Sequence, residues 1–288
     1  MAEGAGSTPR LFVDHAPGVV WRPGGAIDLT ASAVRHAQVL RLQPGHGVTL
    51  FDGQAGQWEA RILEMGRQSV RAELLAHDPV ERELGLRVTL AVCMPANDRM
   101  DDLVEKATEL GAAAIVPLMS ERSVLRLSGE RSLKKQAHWQ AVAAAACEQC
   151  GRNRVTRIDP VQPLSAWLDP SGGALHHTAH DQNHTGLLRW QLSLHPQAQA
   201  LALAIRAAAP PPVGNARTAP VSICVLSGPE GGLTEAEQAL ALNRQWVPVG
   251  LGPRILRADT APLAALAALG TLAALATACN PASAGSAA

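Results

Sequence analysis

The chain has 288 residues, of which 47% are hydrophobic and 17% are charged, a composition that excludes a largely disordered chain, a collagen-like repeat or a coiled coil. Its 25 Lys and Arg residues balance 25 Asp and Glu residues, so any attraction to nucleic acid must come from local positive charge. All cations except Lys106, Lys134 and Lys135 are arginine, a bias that suits phosphate contacts but is also typical of a GC-rich genome.

Residues 11–77 contain short runs of alternating polarity that are separated by Gly, Pro and Asp. This pattern predicts a small β-barrel or sandwich. The polar stretch 78–85 is the predicted boundary, and we assign residues 1–79 to a first domain and residues 80–288 to a second.

From residue 86 onward, apolar strands alternate with helices, which predicts a parallel sheet of the α/β class. The predicted strands are 86–94, 114–119, 221–226 and 246–249, and the predicted helices are 98–110, 132–150 and a last one from about residue 260. Residues 169–220 are less regular and hold five histidines. His176 and His180 have the spacing of metal ligands, but one strand and a surface loop is the favoured interpretation because further ligands are few.

The cysteines and the apolar C-terminal stretch could indicate a secreted, a zinc or redox, or a membrane protein, and none of these is favoured. Five cysteines without a basic and apolar leader predict a reducing cytoplasm. Cys147 and Cys150 form a CxxC at the end of a predicted helix, where packing is favoured over zinc or redox chemistry. Residues 261–280 approach the length of a membrane span, but alanine, Pro262 and Gly270 favour a buried helix.

Two glycine-containing turns each follow a predicted strand and precede a helix. They are Ser227-Gly-Pro-Glu-Gly-Gly232 and Gly250-Leu-Gly-Pro-Arg-Ile-Leu-Arg257, and Thr234 with Glu237 adds a capping box after the first. Neither turn is a P-loop or a GxGxxG fingerprint. Because ligands bind outside the carboxyl ends of strands in an open α/β sheet, the pair predicts a site that positions a reactive cofactor.

Positive charge is concentrated between residues 121 and 159. This segment contains eight cations and four anions. The cations are Arg122, Arg126, Arg131, Lys134, Lys135, Arg152, Arg154 and Arg157. This segment is the predicted nucleic-acid surface, with an ordinary solvated helix face as the alternative.

Taken together, these features resemble the RsmE family, SPOUT-class methyltransferases that modify N3 of a uridine in 16S (small-subunit) ribosomal RNA. The matching segments are Arg10-Leu-Phe-Val13, His36 with Val39-Leu-Arg-Leu42, Lys106-Ala-Thr-Glu-Leu-Gly111, Ser120-Glu-Arg-Ser-Val124, Glu148-Gln-Cys-Gly-Arg152, Gly228-Pro-Glu-Gly-Gly232, Leu251-Gly-Pro-Arg-Ile-Leu-Arg257 and Thr260-Ala261. The chain departs from the family at Asp259, where a Glu is common, and in a longer 169–220 segment.

The resemblance implies a PUA-like RNA-binding β-barrel, a trefoil-knotted parallel-sheet methyltransferase domain, a homodimer, S-adenosylmethionine as cofactor and no metal. The implied cofactor-binding residues are Met119, Ser227, Gly228, Pro229, Glu230, Gly231, Gly250, Leu251, Gly252, Ile255, Leu256, Thr260 and Ala261. The implied RNA-binding residues are Arg10, His36, Arg41, Arg122, Lys134 and Lys135.

Uridine N3 carries a proton at neutral pH, so methylation requires its removal and stabilisation of the resulting anion. We hypothesise that Arg152 and Arg257 stabilise this charge, and that Glu148 acts as the base or holds Arg152. Two alternatives stay open at this stage. One is a nucleotide hydrolase or kinase, which the missing P-loop lysine disfavours, and the other is a non-catalytic RNA-binding or ribosome assembly factor of the same fold.

Overall fold

A computed structural model describes residues 8–14, 21–96, 99–169, 187–208 and 221–278. The contacts divide the chain into two units, residues 1–83 with 144–155 and residues 84–143 with 156–288. The sequence pattern predicts one boundary after residue 79 and gives no sign that residues 144–155 return to the first unit.

The first unit is built on a mixed sheet, which has five strands within the residues that the structure describes. Its elements are β1 (Arg10–Phe12), β2 (Ala26–Asp28), α1 (Ala31–Val39), β3 (Gly47–Phe51), β4 (Gln57–Met65) and β5 (Val70–Asp78), with strand order β1-β3-β4-β5-β2. Strands β1 and β3 are parallel, and the other pairs are antiparallel. Within the described residues this path of pairings stays open between β1 and β2. The predicted β-rich domain is therefore confirmed, and helix α1 is an addition to it.

Alternation in the strands explains the core of this unit. Leu50, Ile62 and Leu74 belong to the same buried cluster, while their polar neighbours along the strands are partly or fully exposed. Helix α1 contributes Val34 and two alanines to that cluster. Because its apolar face consists mainly of small residues, its periodic signal in the sequence is weak.

The second unit is an α/β domain, and its described residues form eight parallel strands. Its elements are β6 (Leu86–Cys93), α2 (Arg99–Glu109), β7 (Ala114–Met119), α3 (Gly129–Cys150), β8 (Arg157–Ile158), β9 (Gln162–Pro163), α4 (Leu164–Leu168), β10 (Leu188–Leu192), β11 (Gln199–Ala200), α5 (Leu201–Ala208), β12 (Val221–Ser227), α6 (Glu235–Asn243), β13 (Val247–Gly250) and α7 (Thr260–Ala278). The last residues of α3, from residue 144 on, belong to the first unit. The strand order is β11-β13-β10-β12-β6-β7-β8, with β9 beside β7.

The central strands β6 and β12 are buried along most of their length, as their continuous apolar runs predict. Strand β10 lies between β12 and β13, within a segment whose sequence is irregular. Helix α7 packs against β6, β12 and α2, and buries Ala265, Leu266 and Leu269. The predicted buried helix is thus confirmed, and no helix among the described residues is long and apolar enough to cross a membrane.

Candidate functional site

A cavity of about 670 Å³ lies at the carboxyl ends of β10, β12 and β13 in the second unit. Three loops form it, one after each strand, and Arg122 adds a side chain from the loop after β7. This is the place where open α/β sheets bind their ligands. The lining residues are Arg122, Gln191, Leu192, Ser193, Leu194, His195, Ser227, Gly228, Pro229, Glu230, Gly232, Leu233, Gln238, Val249, Leu251, Arg254, Ile255, Leu256, Arg257, Ala258 and Ala261.

The turn after β12 is tight at Gly228. A Cβ atom placed there would lie 3.2 Å from the backbone nitrogen of Leu233, closer than side-chain carbons normally approach. The turn closes with a hydrogen bond of 2.8 Å from Gly232 N to Pro229 O, and Gly232 has a φ of 67°. Glycine at both positions therefore brings bare backbone to the edge of the cavity.

The predicted capping box at the start of α6 is confirmed. The side chain of Thr234 accepts from Glu237 N at 3.3 Å, and Oε2 of Glu237 accepts from Thr234 N at 2.9 Å. Oε1 of Glu237 also accepts from Glu121 N at 2.8 Å. One carboxylate thus fixes the helix start and ties it to the loop after β7.

Two further side chains brace the same turn. Oε1 of Glu230 accepts from Ala96 N at 3.0 Å and lies 3.5 Å from Nη1 of Arg99. Nη1 of Arg122 donates to Gly231 O at 2.9 Å. Both Glu230 and Arg122 line the cavity, so Arg122, which the sequence resemblance assigns to RNA, lies beside the candidate cofactor turn.

The turn after β13 carries two exposed arginines, Arg254 and Arg257, into the wall of the cavity. Gly252 adopts a φ of 100°, a conformation that favours glycine. Together with Gly250 it lines a smaller adjoining cavity of about 410 Å³. Arg257 O then accepts from Thr260 N at 3.0 Å, where helix α7 begins.

The loop after β10 supplies a third wall that sequence reasoning did not include. Gln191 is 4% exposed, and its Oε1 has no hydrogen-bond partner in the part of the chain that the structure describes. His195 is exposed and lines both cavities. One sequence signal could have located this loop. Leu188, Trp190 and Leu192 alternate with polar residues, which is typical of a strand, and the loop follows that strand.

The predicted cofactor residues separate into two groups. Those that line the larger cavity are Ser227, Gly228, Pro229, Glu230, Leu251, Ile255, Leu256 and Ala261. Those outside its lining are Met119, Gly231, Gly250, Gly252 and Thr260. Met119 instead accepts a hydrogen bond on Sδ from Leu127 N at 3.4 Å.

The first unit holds a second polar group, which includes residues that we predicted to bind RNA or to act in catalysis. Arg10 donates to Gln57 Oε1 at 2.6 Å and to Asn153 Oδ1 at 2.8 Å. Glu148 accepts from Phe12 N at 2.8 Å, and its other oxygen lies 2.8 Å from Nδ1 of His36. These contacts hold residues 144–155 against the sheet.

Burial dominates the electrostatics of this polar group. It raises the pKa of the Glu148 carboxyl above its ordinary value, against the opposing effects of the Phe12 N–H and of His36. Burial also lowers the pKa of Arg152, but the hydrogen bonds and charge of Glu83 outweigh it, so the net shift is upward.

Arg152 is 4% exposed and forms a two-point contact with Glu83, including one hydrogen bond of 2.9 Å from Nε to Oε1. Neither Arg152 nor Glu148 lines the cavity of the second unit, whereas Arg257 does. The catalytic roles of Arg152 and Glu148 stay predictions, and both residues already have partners within the first unit.

Several cations of the predicted RNA surface are engaged by neighbouring residues. Arg154 pairs with Glu81, Arg157 with Asp159, and Arg126 donates to Glu121 O. Lys134 lies 2.8 Å from Glu130 but remains 75% exposed, so it still presents charge to solvent. Lys135 is half-buried, and Arg41 is exposed with a φ of 54° at the end of α1.

The histidines 176, 177, 180 and 184 lie outside the described residues. Among the residues described, no three His, Cys, Asp or Glu side chains are grouped so that they could hold a metal ion.

Cys147 is buried, and its thiol donates to Arg154 O at 3.5 Å, which agrees with a packing role.

A parallel sheet with a glycine-rich cavity at its strand ends defines the class of cofactor-binding α/β domains. Residues 82–270 match the family model described as an RNA methyltransferase domain, and residues 29–75 match an RNA methyltransferase PUA domain. The chain therefore belongs to the RsmE family of RNA methyltransferases with a PUA domain, as the sequence resemblance predicted.

Individual relatives agree with this assignment. The chain is 33% identical to ribosomal RNA small subunit methyltransferase E of Synechocystis, over 83% of this chain and 71% of the relative. It is similar to the crystal structure of ribosomal RNA small subunit methyltransferase E from Neisseria gonorrhoeae bound to S-adenosyl methionine, with a TM-score of 0.75, 34% identity and coverage of 92% of this chain and 98% of that one. A Legionella pneumophila methyltransferase bound to the same cofactor gives a TM-score of 0.76 at 28% identity, over 92% of this chain and 98% of that one.

Proposed function

We propose that this protein transfers a methyl group from S-adenosylmethionine to N3 of a uridine in 16S ribosomal RNA. The observation that carries the proposal is the cavity of the second unit, where the turns 227–232 and 250–257 converge. Relatives of this chain are named for methylation of small-subunit ribosomal RNA, and two similar structures hold S-adenosylmethionine.

The residues of the cavity fit such a cofactor. The volume of about 670 Å³ lies within the range of sites for molecules of this size. At Gly228 and Gly232 the absence of a side chain leaves the backbone open to a bound cofactor. Apolar side chains such as Leu256 and Val249 offer contacts for its flat base. When bound, S-adenosylmethionine supplies an electrophilic methyl group on a sulfonium. The protein's own task is then to align the two reactants and to exclude water.

Arg257 is the residue that we assign to stabilising the uracil anion. It is exposed, lines the cavity, and can therefore meet negative charge that develops when N3 loses its proton. Arg152 and Glu148 are instead assigned to positioning, since their side chains are engaged with Glu83, Phe12 and His36.

RNA would be bound in part by the exposed basic end of helix α3, which includes Arg131 and Lys134. The first unit would add recognition of RNA shape through its PUA-like sheet. We further propose that the protein acts as a homodimer in the cytoplasm, where its ribosomal substrate is found.

A single-turnover assay tests the proposal. Purified protein, radiolabelled S-adenosylmethionine and small ribosomal subunits from a strain that lacks this modification are mixed, and the methylated nucleotide is mapped by mass spectrometry. We expect methylation at one uridine N3, and about a 100-fold slower rate for Arg257→Ala. Arg206→Ala, an exposed residue of α5 outside the cavity, is the matched control.

One result would contradict the proposed reaction, and another would contradict only the role of Arg257. Cofactor binding and RNA binding without any methyl transfer would indicate an assembly factor that has lost catalysis. A normal rate for Arg257→Ala at saturating RNA would remove Arg257 from the mechanism and leave the reaction itself in place.

A further inference from the structure

Gln191, like Ser227, is a buried polar residue of the cavity lining, and we call the buried part of this lining its floor. Gln191 lies on β10, in register with Leu226 of β12 and Pro248 of β13, so it occupies the middle of the three strands whose loops form the site. Gln191 is 4% exposed, and no donor among the described residues forms a hydrogen bond with its Oε1. Of the buried side-chain atoms left without a partner in the described part of the chain, this is the one whose residue lines the cavity.

A buried amide oxygen without a donor costs free energy, because it loses its hydrogen bonds to water and gains none. Such a group in a native structure calls for a specific partner. Gln238, the other glutamine of the cavity lining, differs in two ways, since it is only half-buried and its side chain is held by the protein, with Nε2 donating to Leu233 O at 3.0 Å. The difference points to a ligand as the missing donor for Gln191.

The surroundings of Gln191 select the kind of donor. Leu233 and Val249, which also line the cavity, are buried and apolar. The charged lining residues Arg122, Glu230, Arg254 and Arg257 are all exposed. Since a charged group is costly to bury without a counter-charge, the charged amino-acid end of a cofactor belongs near the exposed residues. A neutral donor then belongs at the floor.

We propose that Gln191 is a specificity-determining residue that accepts a hydrogen bond from the nucleoside half of the cofactor. The donor is the 6-amino group of adenine or a hydroxyl of the ribose, which share the chemistry of a neutral N–H or O–H. This inference rests on the proposed function, because it takes S-adenosylmethionine to be the ligand of the cavity.

Binding measurements with unreactive ligands test this role without reference to catalysis. The probe is S-adenosylhomocysteine, compared by calorimetry with three analogues that lack the 6-amino group, the 2′-hydroxyl or the 3′-hydroxyl. We expect the wild type to bind one analogue about 10-fold more weakly than the parent compound. Gln191→Leu should bind the parent about 10-fold more weakly than the wild type does, and should no longer distinguish it from that analogue.

Gln191→Met, which keeps the length of the side chain, serves as the second variant if Gln191→Leu does not fold. Gln199→Leu is the matched control, since Gln199 is exposed on β11 and lies outside the cavity lining. Equal discrimination by wild type and both Gln191 variants would overturn the inference, as would a uniform loss of affinity for all four ligands. Failure of the wild type to bind S-adenosylhomocysteine would overturn the proposed function together with it.

Discussion

The Nδ1 atom of His36 lies 2.8 Å from Oε2 of Glu148 and so joins helix α1 to residues 144–155 within the first unit. The other carboxylate oxygen accepts from Phe12 N on strand β1. Glu148 therefore links three parts of this unit, and its side chain is only 14% exposed.

Glu148→Gln should flatten the pH dependence of stability. Burial raises the pKa of Glu148 above its ordinary value of 4.5, so the folded state holds this proton more tightly than the unfolded state does. Stability is then lost as pH rises from 4.5 through the raised pKa, and the loss persists at higher pH. Glutamine cannot lose a proton and keeps an acceptor for Phe12 N. Urea unfolding of both proteins between about pH 4 and pH 8 measures the difference.

Glu148→Ala is the companion variant. It leaves Phe12 N without its acceptor, and we expect a loss of about 1 to 3 kcal/mol in the free energy of unfolding at neutral pH. If the curves of wild type and Glu148→Gln against pH ran parallel, the raised pKa would be wrong. Loss of methylation in a stably folded Glu148→Gln would return Glu148 to the role of base.

Arg152→Ala should destabilise the protein far more than Arg154→Ala. Arg152 is buried and contacts Glu83 at two points, so its removal leaves a carboxylate without its partner and costs about 3 kcal/mol. Arg154 pairs with Glu81, but both side chains are substantially exposed, at 51% and 36%. A loss of less than about 1 kcal/mol is expected there. Denaturant unfolding compares the two variants directly, and equal losses would contradict this difference.

The strands that can be predicted from sequence are those whose burial is visible in local composition. Strands β6, β7 and β12 are continuous apolar runs, and their predicted limits are nearly correct. A strand is predicted within residues 169–220 but without limits, because Arg189 and Gln191 interrupt the apolar residues of β10. Helix α1 escapes prediction because small side chains form its buried face.

The site shows the same limit. The two glycine turns could be located from the sequence, because glycine itself marks positions where the backbone turns tightly or approaches a ligand closely. The partners of Arg152 and Glu148 could not, because Glu83 and Phe12 lie 69 and 136 positions away and only the folded unit brings them together. For the same reason, the floor residue Gln191 could not be assigned before β10 was placed between its neighbours.

Gly228→Ala should weaken cofactor binding by about 10-fold while the protein remains folded. Its new methyl group would lie 3.2 Å from Leu233 N and 3.4 Å from Gly232 C, both backbone atoms, so the turn must shift. Calorimetry with S-adenosylhomocysteine measures the effect. Gly47→Ala is the control, because Gly47 is on β3 and a methyl group there would meet nothing within 4 Å. Unchanged affinity in Gly228→Ala would mean that this turn does not contact the cofactor.

Lys134→Glu should weaken RNA binding and reduce its dependence on salt. Lys134 is 75% exposed on α3, and reversal of its charge removes any phosphate contact that it makes without disturbing the core. Each lost contact lowers the slope of log K against log salt by about 0.7 to 0.9. Adding Lys135→Glu should lower it again. Filter binding to small-subunit RNA at several salt concentrations gives the slopes, with Arg206→Glu on helix α5 as the control. Equal changes of slope in Lys134→Glu and Arg206→Glu would contradict the assignment of the basic end of α3 as the RNA surface. General repulsion from an added negative charge would then explain the weaker binding.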